Sequence, residues 1–585
     1  MMPDAEPDNS ENLSLELLRQ GDAAFQGGDY KESLANLLEA FVLNHTDIDI
    51  QAKFIEVLSH TSGLKLPKPV TDILAEAVIA NGHNAQALAP VLASRFEDDP
   101  DTDRAILFLE ETPPGTIVEV PADIDFTALL GDQLFLLVCT KATSVSPNVE
   151  RLLCALRKHF LSEWLADASS QSYFIDNYPD ALAATACQAF NSEYIYAFSV
   201  DEQNKFSGLQ ASIAEDIRGV HPFELAILGT YRSLWETLKD SNPDDLQYLA
   251  DQSPRWPGWL RLIWKIQFLA PFQEALIKQR LAQLTPIKDA HTEATAQQYE
   301  DFPYPRWQST KASSTAITLE QLIAARFPYT MRPELANGPI DILVAGCGTG
   351  QQVAQLASNL EYKNVLAVDL SQNSLAYANR KAEEKGLKNV HFGQADILAL
   401  SGWDASFDLI VCTGVLHHMA DPSKGLASLL SVSKENTVFF LALYSERGRA
   451  QVVAARKLIA EHKIPDTLEG MRKFRAMVRE LPVEHAAKNI AFSREFYSAS
   501  GLHDFAFNAH ETRYTPLELK ALLDQHNLQL IGFDLPRGEY TARYKANYPD
   551  DPNMISLDHW EKFEKEVPDV FEDMLQFWCM KKVQN

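Results

Sequence analysis

Residues 342–350 have the sequence ILVAGCGTG, and this stretch decides the fold of the C-terminal half of the chain. Its first four residues are apolar and have the length and bulk of a buried parallel strand. Gly346, Gly348 and Gly350 follow at alternate positions, where they can adopt positive φ angles and let a ligand approach the backbone. Residues 351–360 then show helical apolar spacing. A strand, a glycine turn and a helix N-terminus together predict a nucleotide-type pocket at the carboxyl edge of a sheet.

A second apolar run, residues 365–368, ends at Asp369. An acidic residue at the tip of the second strand is placed to accept hydrogen bonds from both hydroxyls of a ribose. The glycine spacing is G-x-G-x-G, whereas dinucleotide-binding folds use G-x-G-x-x-G and would need a glycine where Gln351 stands. A pyrophosphate is therefore not the expected ligand, and an NAD-dependent oxidoreductase is kept as a less favoured alternative.

Three further motifs follow the glycine turn in order. Ala-Asp-Ile at 395–397 comes after a short third strand, and FDLIV at 407–411 predicts a fourth strand that leads to residues 412–418. Together with the glycine turn, these motifs resemble those of class I S-adenosylmethionine-dependent methyltransferases. The resemblance implies an α/β Rossmann-like sheet of seven strands in the order 3-2-1-4-5-7-6, preceded here by a mainly α-helical domain. The later strands are expected at 438–443, 528–533 and 574–580.

The resemblance also implies S-adenosyl-L-methionine as the cofactor. The glycines are expected to pass under its methionine and ribose portions, Asp369 to hold the ribose hydroxyls, and Asp396 to bind the adenine amino group. The full set of expected cofactor-binding residues is Gly346, Cys347, Gly348, Gly350, Asp369, Leu370, Asp396, Ile397 and Thr413.

Methyl transfer from a sulfonium is an in-line displacement that depends mostly on holding the acceptor close and aligned. His417 and His418 follow strand four, and an imidazole has a pKa suited to removing a proton at neutral pH. We expect one of them, with a slight preference for His417, to be the catalytic base, with Tyr444 as a secondary candidate. The structural alternative is that a histidine only packs against the following helix. No metal site is expected, because adjacent histidines diverge and no third ligand stands at a useful spacing.

The composition excludes several functions. A chain of 585 residues is long enough for two or more domains, and its net charge of −28 argues against general binding to nucleic acids or anionic membranes. The six cysteines form no C-x-x-C pair, which is typical of a reduced protein without a structural zinc site. The polar N-terminus is no signal peptide and no apolar run reaches the length of a membrane span, so we expect a cytoplasmic protein.

The chain divides into four predicted parts. Residues 1–12 are expected to form a disordered tail, 13–290 a mainly helical domain, 291–335 a connector, and 336–585 the methyltransferase domain with a helical insertion at 447–526. Residues 14–45 resemble one tetratricopeptide hairpin around Gly28-Asp29-Tyr30, with a generic helical hairpin as an equal alternative.

The connector carries the string QYEDFPYPRW at 298–307. It resembles a group of bacterial proteins that join a tetratricopeptide-type helical N-terminus to a class I methyltransferase. Pro303 and Pro305 prevent a helix here, and a stiff backbone holds side chains at low entropic cost. The segment is therefore either an extended link between domains or a lid over the pocket formed by Tyr299, Tyr304, Arg306 and Trp307.

The expected function is transfer of a methyl group to an oxygen or nitrogen of a small molecule or a protein. Strand four does not end in the [DN]-P-P-[YF] motif of adenine-N6 and glutamine-amide methylation, and no Pro-Cys pair supports cytosine C5 chemistry. The alternative is a scaffold that binds S-adenosylmethionine without turnover and uses its helical domain to bind a protein partner.

Overall fold

The computed structural model shows a helical N-terminal half followed by an α/β domain. It describes residues 7–61, 63–97, 99–112, 121, 123–166, 173–287, 290–310, 316–329, 335, 338–508, 510–536 and 538–582. Within these ranges we find no helix that combines the length and the apolar character needed to cross a membrane.

The helical half is built from α-helices that begin at well-defined caps. Ser146 begins one of them, because its Oγ accepts a hydrogen bond from the backbone N–H of Val149 at 3.2 Å and Pro147 occupies the first helical position. The helices are α1 (Pro7–Gly27), α2 (Tyr30–Leu43), α3 (Ile48–Leu58), α4 (Lys68–Asn81), α5 (Ala89–Phe96), α6 (Pro100–Glu111), α7 (Phe126–Leu130), α8 (Gln133–Lys141), α9 (Pro147–Leu165), α10 (Tyr173–Asn177), α11 (Pro179–Asn191), α12 (Val200–Glu215), α13 (Pro222–Tyr231), α14 (Leu234–Leu238), α15 (Pro243–Gln252), α16 (Gly258–Trp264) and α17 (Ala270–Lys278).

The α/β domain is organised around one mixed sheet. Its strands are β1 (Ala282–Gln283), β2 (Ile340–Ala345), β3 (Tyr362–Asp369), β4 (Val390–Gln394), β5 (Phe407–Thr413), β6 (Ser433–Ser445), β7 (Arg513–Tyr514), β8 (Leu528–Phe533) and β9 (Met574–Lys581). The order is β1-β4-β3-β2-β5-β6-β9-β8, with β7 paired to β6, and β9 runs antiparallel to both of its neighbours. The predicted order 3-2-1-4-5-7-6 is therefore confirmed, with two short strands added that the sequence did not predict.

Helices cover both faces of this sheet and the edge where its parallel strands end. They are α18 (Ala290–Asp301), α19 (Leu319–Arg326), α20 (Gln351–Asn359), α21 (Gln372–Glu384), α22 (Pro422–Ser431), α23 (Ala450–Glu461), α24 (Leu468–Glu480), α25 (Ala499–Leu502), α26 (Pro516–Gln525), α27 (Gly538–Asn547) and α28 (Leu557–Glu566).

The structure differs from the predicted domain boundaries in three places. Helix α1 begins at Pro7, so residues 7–12 of the expected disordered tail are helical, and residues 1–6 lie outside the described part of the chain. Strand β1 belongs to the predicted helical domain, yet it pairs with β4 at the edge of the sheet. The connector contains helices α18 and α19, and α18 ends at Asp301 because proline follows at position 303.

The predicted hairpin at 14–45 is present as α1 and α2, which pack closely where the ideal Cβ of Gly21 would lie 2.6 Å from the side chain of Leu37. Its assignment as a tetratricopeptide repeat stays a prediction.

The helical insertion shares a hydrophobic core with the helical half. Apolar residues of α23, α24 and the following turns, such as Val452, Phe474 and Phe505, belong to the same buried cluster as α3, α9 and α13. A buried ion pair joins the two segments, because Arg475 on α24 contacts Glu150 on α9 at 2.6 Å and both side chains are at most 5% exposed. The insertion therefore ties the helical half to the α/β domain.

We predict that Arg475→Ala lowers the free energy of unfolding by about 3 kcal/mol, because it removes a cation that neutralises a buried carboxylate. Urea denaturation followed by tryptophan fluorescence measures this change. Arg479→Ala is the control, since Arg479 contacts the same Glu150 at 2.6 Å but is 38% exposed and should matter less. An equally small change in the free energy of unfolding for both substitutions would show that the packing of the insertion on the helical half does not depend on the Arg475–Glu150 pair.

Candidate active site

The carboxyl ends of the parallel strands open onto a cavity of about 460 Å³. The strand order places β3 and β4 on one side of the glycine turn and β5 and β6 on the other. Eight of the nine predicted cofactor-binding residues line the cavity: Gly346, Cys347, Gly348, Asp369, Leu370, Asp396, Ile397 and Thr413.

Two glycines of the turn have positive φ angles and leave no room for side chains. Gly346 has φ of 73°, and a Cβ there would lie 2.2 Å from the side chain of Val415. Gly348 has φ of 52°, and a Cβ there would lie 2.6 Å from the carbonyl oxygen of Tyr304. Because these two positions lack side chains, the backbone of the turn can lie directly beside the cavity and the connector.

Gly350 does not line the cavity, so its predicted role in binding the cofactor is not supported. It caps α20 with φ of 79°, and a Cβ there would lie 2.7 Å from the Cβ of Ala378 on α21. The third glycine therefore serves the close packing of two helices.

Asp369 lies at the tip of β3 with its carboxylate held by the backbone. Its Oδ2 accepts a hydrogen bond from the N–H of Gly348 at 2.8 Å, and its Oδ1 accepts one from the N–H of Ser371 at 2.9 Å. Burial raises the pKa of the Asp369 carboxyl above its ordinary value, and these hydrogen bonds act in the opposite direction. Further donors, such as the two hydroxyls of a ribose, would favour its ionised form.

Asp396 follows β4 and begins a short 3₁₀-helix, Ile397–Gly402, by accepting a hydrogen bond from the N–H of Leu398 at 2.9 Å. This bond fixes the side chain beside the cavity. On the other side of the turn, the hydroxyl of Thr413 donates to the side chain of Gln352 at 2.8 Å. The two acidic side chains lie on the β3–β4 side, and Thr413 lies on the β5–β6 side.

The predicted preference for His417 is not supported by the geometry. His418 lines the cavity, whereas His417 does not and is fully buried with its ring 3.6 Å from the ring of Tyr444. Burial, together with the nearby charges of His418 and Arg449, lowers the pKa of His417 well below its ordinary value. His417 is therefore a neutral packing residue beneath Tyr444, which itself lines the cavity.

Both nitrogens of His418 have hydrogen-bond partners. Its Nδ1 lies 2.8 Å from the carbonyl oxygen of His510, so Nδ1 carries the hydrogen and Nε2 is the acceptor. That acceptor lies 3.1 Å from Nε2 of His417 and 3.5 Å from Nδ2 of Asn508. Burial also lowers the pKa of His418. This arrangement fixes the orientation of the ring and leaves Nε2 of His418 a weak proton acceptor toward the cavity.

The structure adds one acidic residue that the sequence did not single out. Asp504, in the π-helix His503–Phe507 of the insertion, lines the cavity together with Tyr299, Tyr304 and Tyr444. The hydroxyl of Tyr299 donates to Oδ1 of Asp504 at 2.7 Å. Asp504 has no cationic partner among the described residues. The sequence signal for it was the predicted helical insertion at 447–526, which contains Asp504.

The predicted lid divides into two parts. Tyr299 and Tyr304 line the cavity, and burial raises the pKa of both phenols well above the ordinary value, so both stay neutral. Trp307 is buried away from the cavity and donates from Nε1 to the carbonyl oxygen of Thr349 at 2.9 Å. Arg306 lies 4.7 Å from the ring of Phe190 in the helical half. These two residues therefore anchor the connector.

Comparisons with known proteins find one family model and several proteins that match part of this chain. Residues 340–492 match a family model described as a methyltransferase domain. An uncharacterised protein of Synechococcus sp. is 25% identical over 306 residues, which are 49% of this chain and 70% of that protein. Trans-aconitate 2-methyltransferase of Deinococcus radiodurans is 38% identical over 117 residues, which are 20% of this chain and 38% of that enzyme. The structure of PKMT2 from Rickettsia typhi with AdoHcy matches with 16% identity and a TM-score of 0.35, covering 46% of this chain and 55% of that one.

The family model covers the glycine turn, Asp369, Asp396 and the strand that ends at Thr413. The C-terminal domain is a class I S-adenosylmethionine-dependent methyltransferase domain. Its cofactor is S-adenosylmethionine, as predicted, and the residues that line the cavity of this domain fit that molecule. Acidic side chains stand at the tips of β3 and β4, and Gly346 and Gly348 present their backbone to the cavity without a side chain. The chain spans less than two fifths of the length of the Deinococcus enzyme.

We predict that Asp369→Ala weakens the binding of S-adenosylmethionine about tenfold or more, because it removes charge-assisted hydrogen bonds. Isothermal titration calorimetry measures this change. Asp341→Ala is the matched control, because Asp341 lies on β2 of the same sheet but does not line the cavity. Equal affinity of both variants and the unmodified protein would show that Asp369 does not bind the cofactor.

Proposed function

We propose that this protein is a methyltransferase that transfers a methyl group to the nitrogen of an amine. The observation that carries this proposal is the cavity wall on the β5–β6 side, where Tyr299, Tyr304, Tyr444 and His418 line the cavity together with the carboxylate of Asp504. Aromatic faces and a carboxylate attract a positively charged ligand. An amine in its ammonium form is such a ligand.

The charges around this wall favour a cationic acceptor over an anionic one. Lys424 is the one lysine or arginine among the described residues that line the cavity, and its side chain is 76% exposed. Arg449 lies behind the wall, 3.6 Å from the ring of Tyr444, and is neutralised by Glu511 at 2.6 Å. A carboxylate acceptor, as the name of the Deinococcus relative implies for that enzyme, would find no buried cationic partner among the cavity residues that the structure describes.

Asp504 has the position and chemistry of a general base. When bound, S-adenosylmethionine supplies an electrophilic methyl group. The Asp504 carboxylate accepts a proton from the ammonium group of the acceptor, and the resulting neutral amine has a lone pair with which to attack. Tyr299 orients this carboxylate through its hydrogen bond of 2.7 Å. The three phenols remain protonated, since burial raises the pKa of each of them.

The connector and the insertion supply part of this acceptor side. Tyr299 comes from α18, and Asp504 comes from the insertion that shares its core with the helical half. Glu495, also in the insertion, accepts a hydrogen bond from the hydroxyl of Tyr304 at 3.4 Å. These contacts favour an enzyme over a scaffold that merely binds the cofactor, because they build a shaped and charged wall where an acceptor would stand.

The test is incubation of the full chain with S-adenosylmethionine labelled in its methyl group, together with separate small-molecule and protein fractions of a cell extract. We expect label on an amine that resists mild base, and the labelled fraction would assign the acceptor to a small molecule or a protein. Label released by mild base would indicate a methyl ester and contradict an amine acceptor. Tight cofactor binding with no transfer to either fraction would support the scaffold instead.

We predict that Asp504→Asn lowers kcat about 10²–10⁴-fold while leaving the affinity for S-adenosylmethionine unchanged, because it removes the proton acceptor and keeps the volume. Steady-state kinetics at several pH values measures this loss. A weaker defect at high pH is expected, where the amine loses its proton to solvent.

The control for this substitution is Asp466→Asn. Asp466 lies in the same insertion, contacts His503 at 2.9 Å and does not line the cavity. Normal turnover of Asp504→Asn, or an equal loss in both variants, would remove Asp504 from the proposed role.

A further inference from the structure

A second cavity of about 290 Å³ lies where the helical half meets the methyltransferase domain. One wall comes from the helical half and is partly apolar, with Ile79, Leu137 and Phe190 among its residues. The opposite wall is formed by α21 and by residues 306–309 of the connector. The cavity is separate from the catalytic one, and the connector runs between the two.

Five cationic side chains from four parts of the chain line this interface cavity. They are Lys141 at the end of α8, Lys265 after α16, Arg306 of the connector, and Arg380 and Lys381 on α21. The carboxylates in the lining are those of Glu274 and Glu384. The lining therefore carries a surplus of positive charge, although the chain has a net charge of −28.

The carboxylates present do not neutralise all five cations. Glu274 pairs with Arg380 at 2.9 Å, and Glu384 is shared between Arg380 at 2.5 Å and Lys381 at 3.5 Å. Arg306 has Glu193, from outside the lining, at 3.5 Å. Lys141 and Lys265 have no carboxylate partner among the residues that the structure describes.

Lys381 is the buried lysine of this lining. Its side chain is 8% exposed, and its Nζ donates to the carbonyl oxygen of Gln308 at 2.8 Å. Burial lowers the pKa of Lys381 to about 8, and the neighbouring Arg380 acts in the same direction while Glu384 opposes it. An anion placed among these groups would relieve the repulsion and restore the pKa.

We propose that the interface cavity is a binding site for a small organic phosphate. Arginine guanidinium groups and lysine ammonium groups bind phosphate oxygens with charge-assisted hydrogen bonds. The partly apolar wall formed by Ile79 and Leu137 suits the organic portion of such a molecule. The site belongs to neither the cofactor nor the methyl acceptor, so it is independent of the function proposed above.

The position of the site links the ligand to both halves of the protein. Lys141 and Lys265 belong to the helical half, whereas Arg380 and Lys381 belong to the methyltransferase domain. Arg306 is two residues from Tyr304, which lines the catalytic cavity. A bound phosphate would therefore stabilise the docking of the two halves and the seating of the connector.

The test uses inorganic pyrophosphate as the probe and the double variant Lys141→Ala/Lys265→Ala in the full chain. Both lysines are exposed, so the variant should fold with an unchanged melting temperature in the absence of ligand. We expect pyrophosphate to raise the melting temperature of the unmodified protein, and calorimetry to show binding that is about tenfold or more weaker in the double variant.

The matched control is Lys363→Ala/Lys388→Ala, which removes the same charge at two exposed lysines outside the cavity. Full binding in this control supports the site. Absence of binding to the unmodified protein, or equal loss in both double variants, would overturn the proposal, since it would mean a general charge effect. Tighter binding of citrate than of pyrophosphate would overturn the assignment to a phosphate.

Discussion

The structure depends on the contact between the glycine turn and the connector. The backbone N–H of Thr349 lies 3.4 Å from the carbonyl oxygen of Tyr304, its hydroxyl donates to the carbonyl oxygen of Pro305, and its carbonyl oxygen accepts from Trp307. This close approach requires Gly348, since any side chain there would collide with the carbonyl group of Tyr304. The glycine turn thus also holds the segment that brings Tyr299 and Tyr304 to the cavity.

That contact determines which side chains of the connector reach the cavity. Tyr299 and Tyr304 reach the cavity because the connector is seated on the turn, and Arg306 points away from the cavity to the helical half. The insertion completes the arrangement, because it leaves the sheet after β6 and packs into the helical core. Asp504 is brought to the cavity by this packing. The sheet and its turns therefore bring Asp369, Asp396 and Tyr444 to the cavity, while the connector and the insertion bring Tyr299, Tyr304 and Asp504.

The residues expected to bind the cofactor could be placed at the cavity from the sequence because they are encoded locally. The glycine turn and the acidic strand tips are short motifs, and eight of the nine predicted residues line the cavity. Asp504 was not predicted, because its place at the cavity depends on contacts between distant segments. Asp504 and its partner Tyr299 are 205 positions apart, and Asp504 lies in no recognisable motif. His417 and His418 are adjacent in sequence, but the geometry alone determines which ring faces the cavity. Strand β1 was not predicted because a strand of two residues is too short to show an alternating apolar pattern.

The most direct test of the central contact is the affinity of Gly348→Ala for S-adenosylmethionine, compared with that of Gly402→Ala. A Cβ at Gly348 would meet the Tyr304 carbonyl oxygen at 2.6 Å, whereas a Cβ at Gly402 would meet no atom within 4 Å. We expect Gly348→Ala to lose cofactor affinity about tenfold or more and to make the connector more sensitive to proteases, while Gly402→Ala changes neither. Unchanged affinity and an equally protected connector in Gly348→Ala would contradict the account.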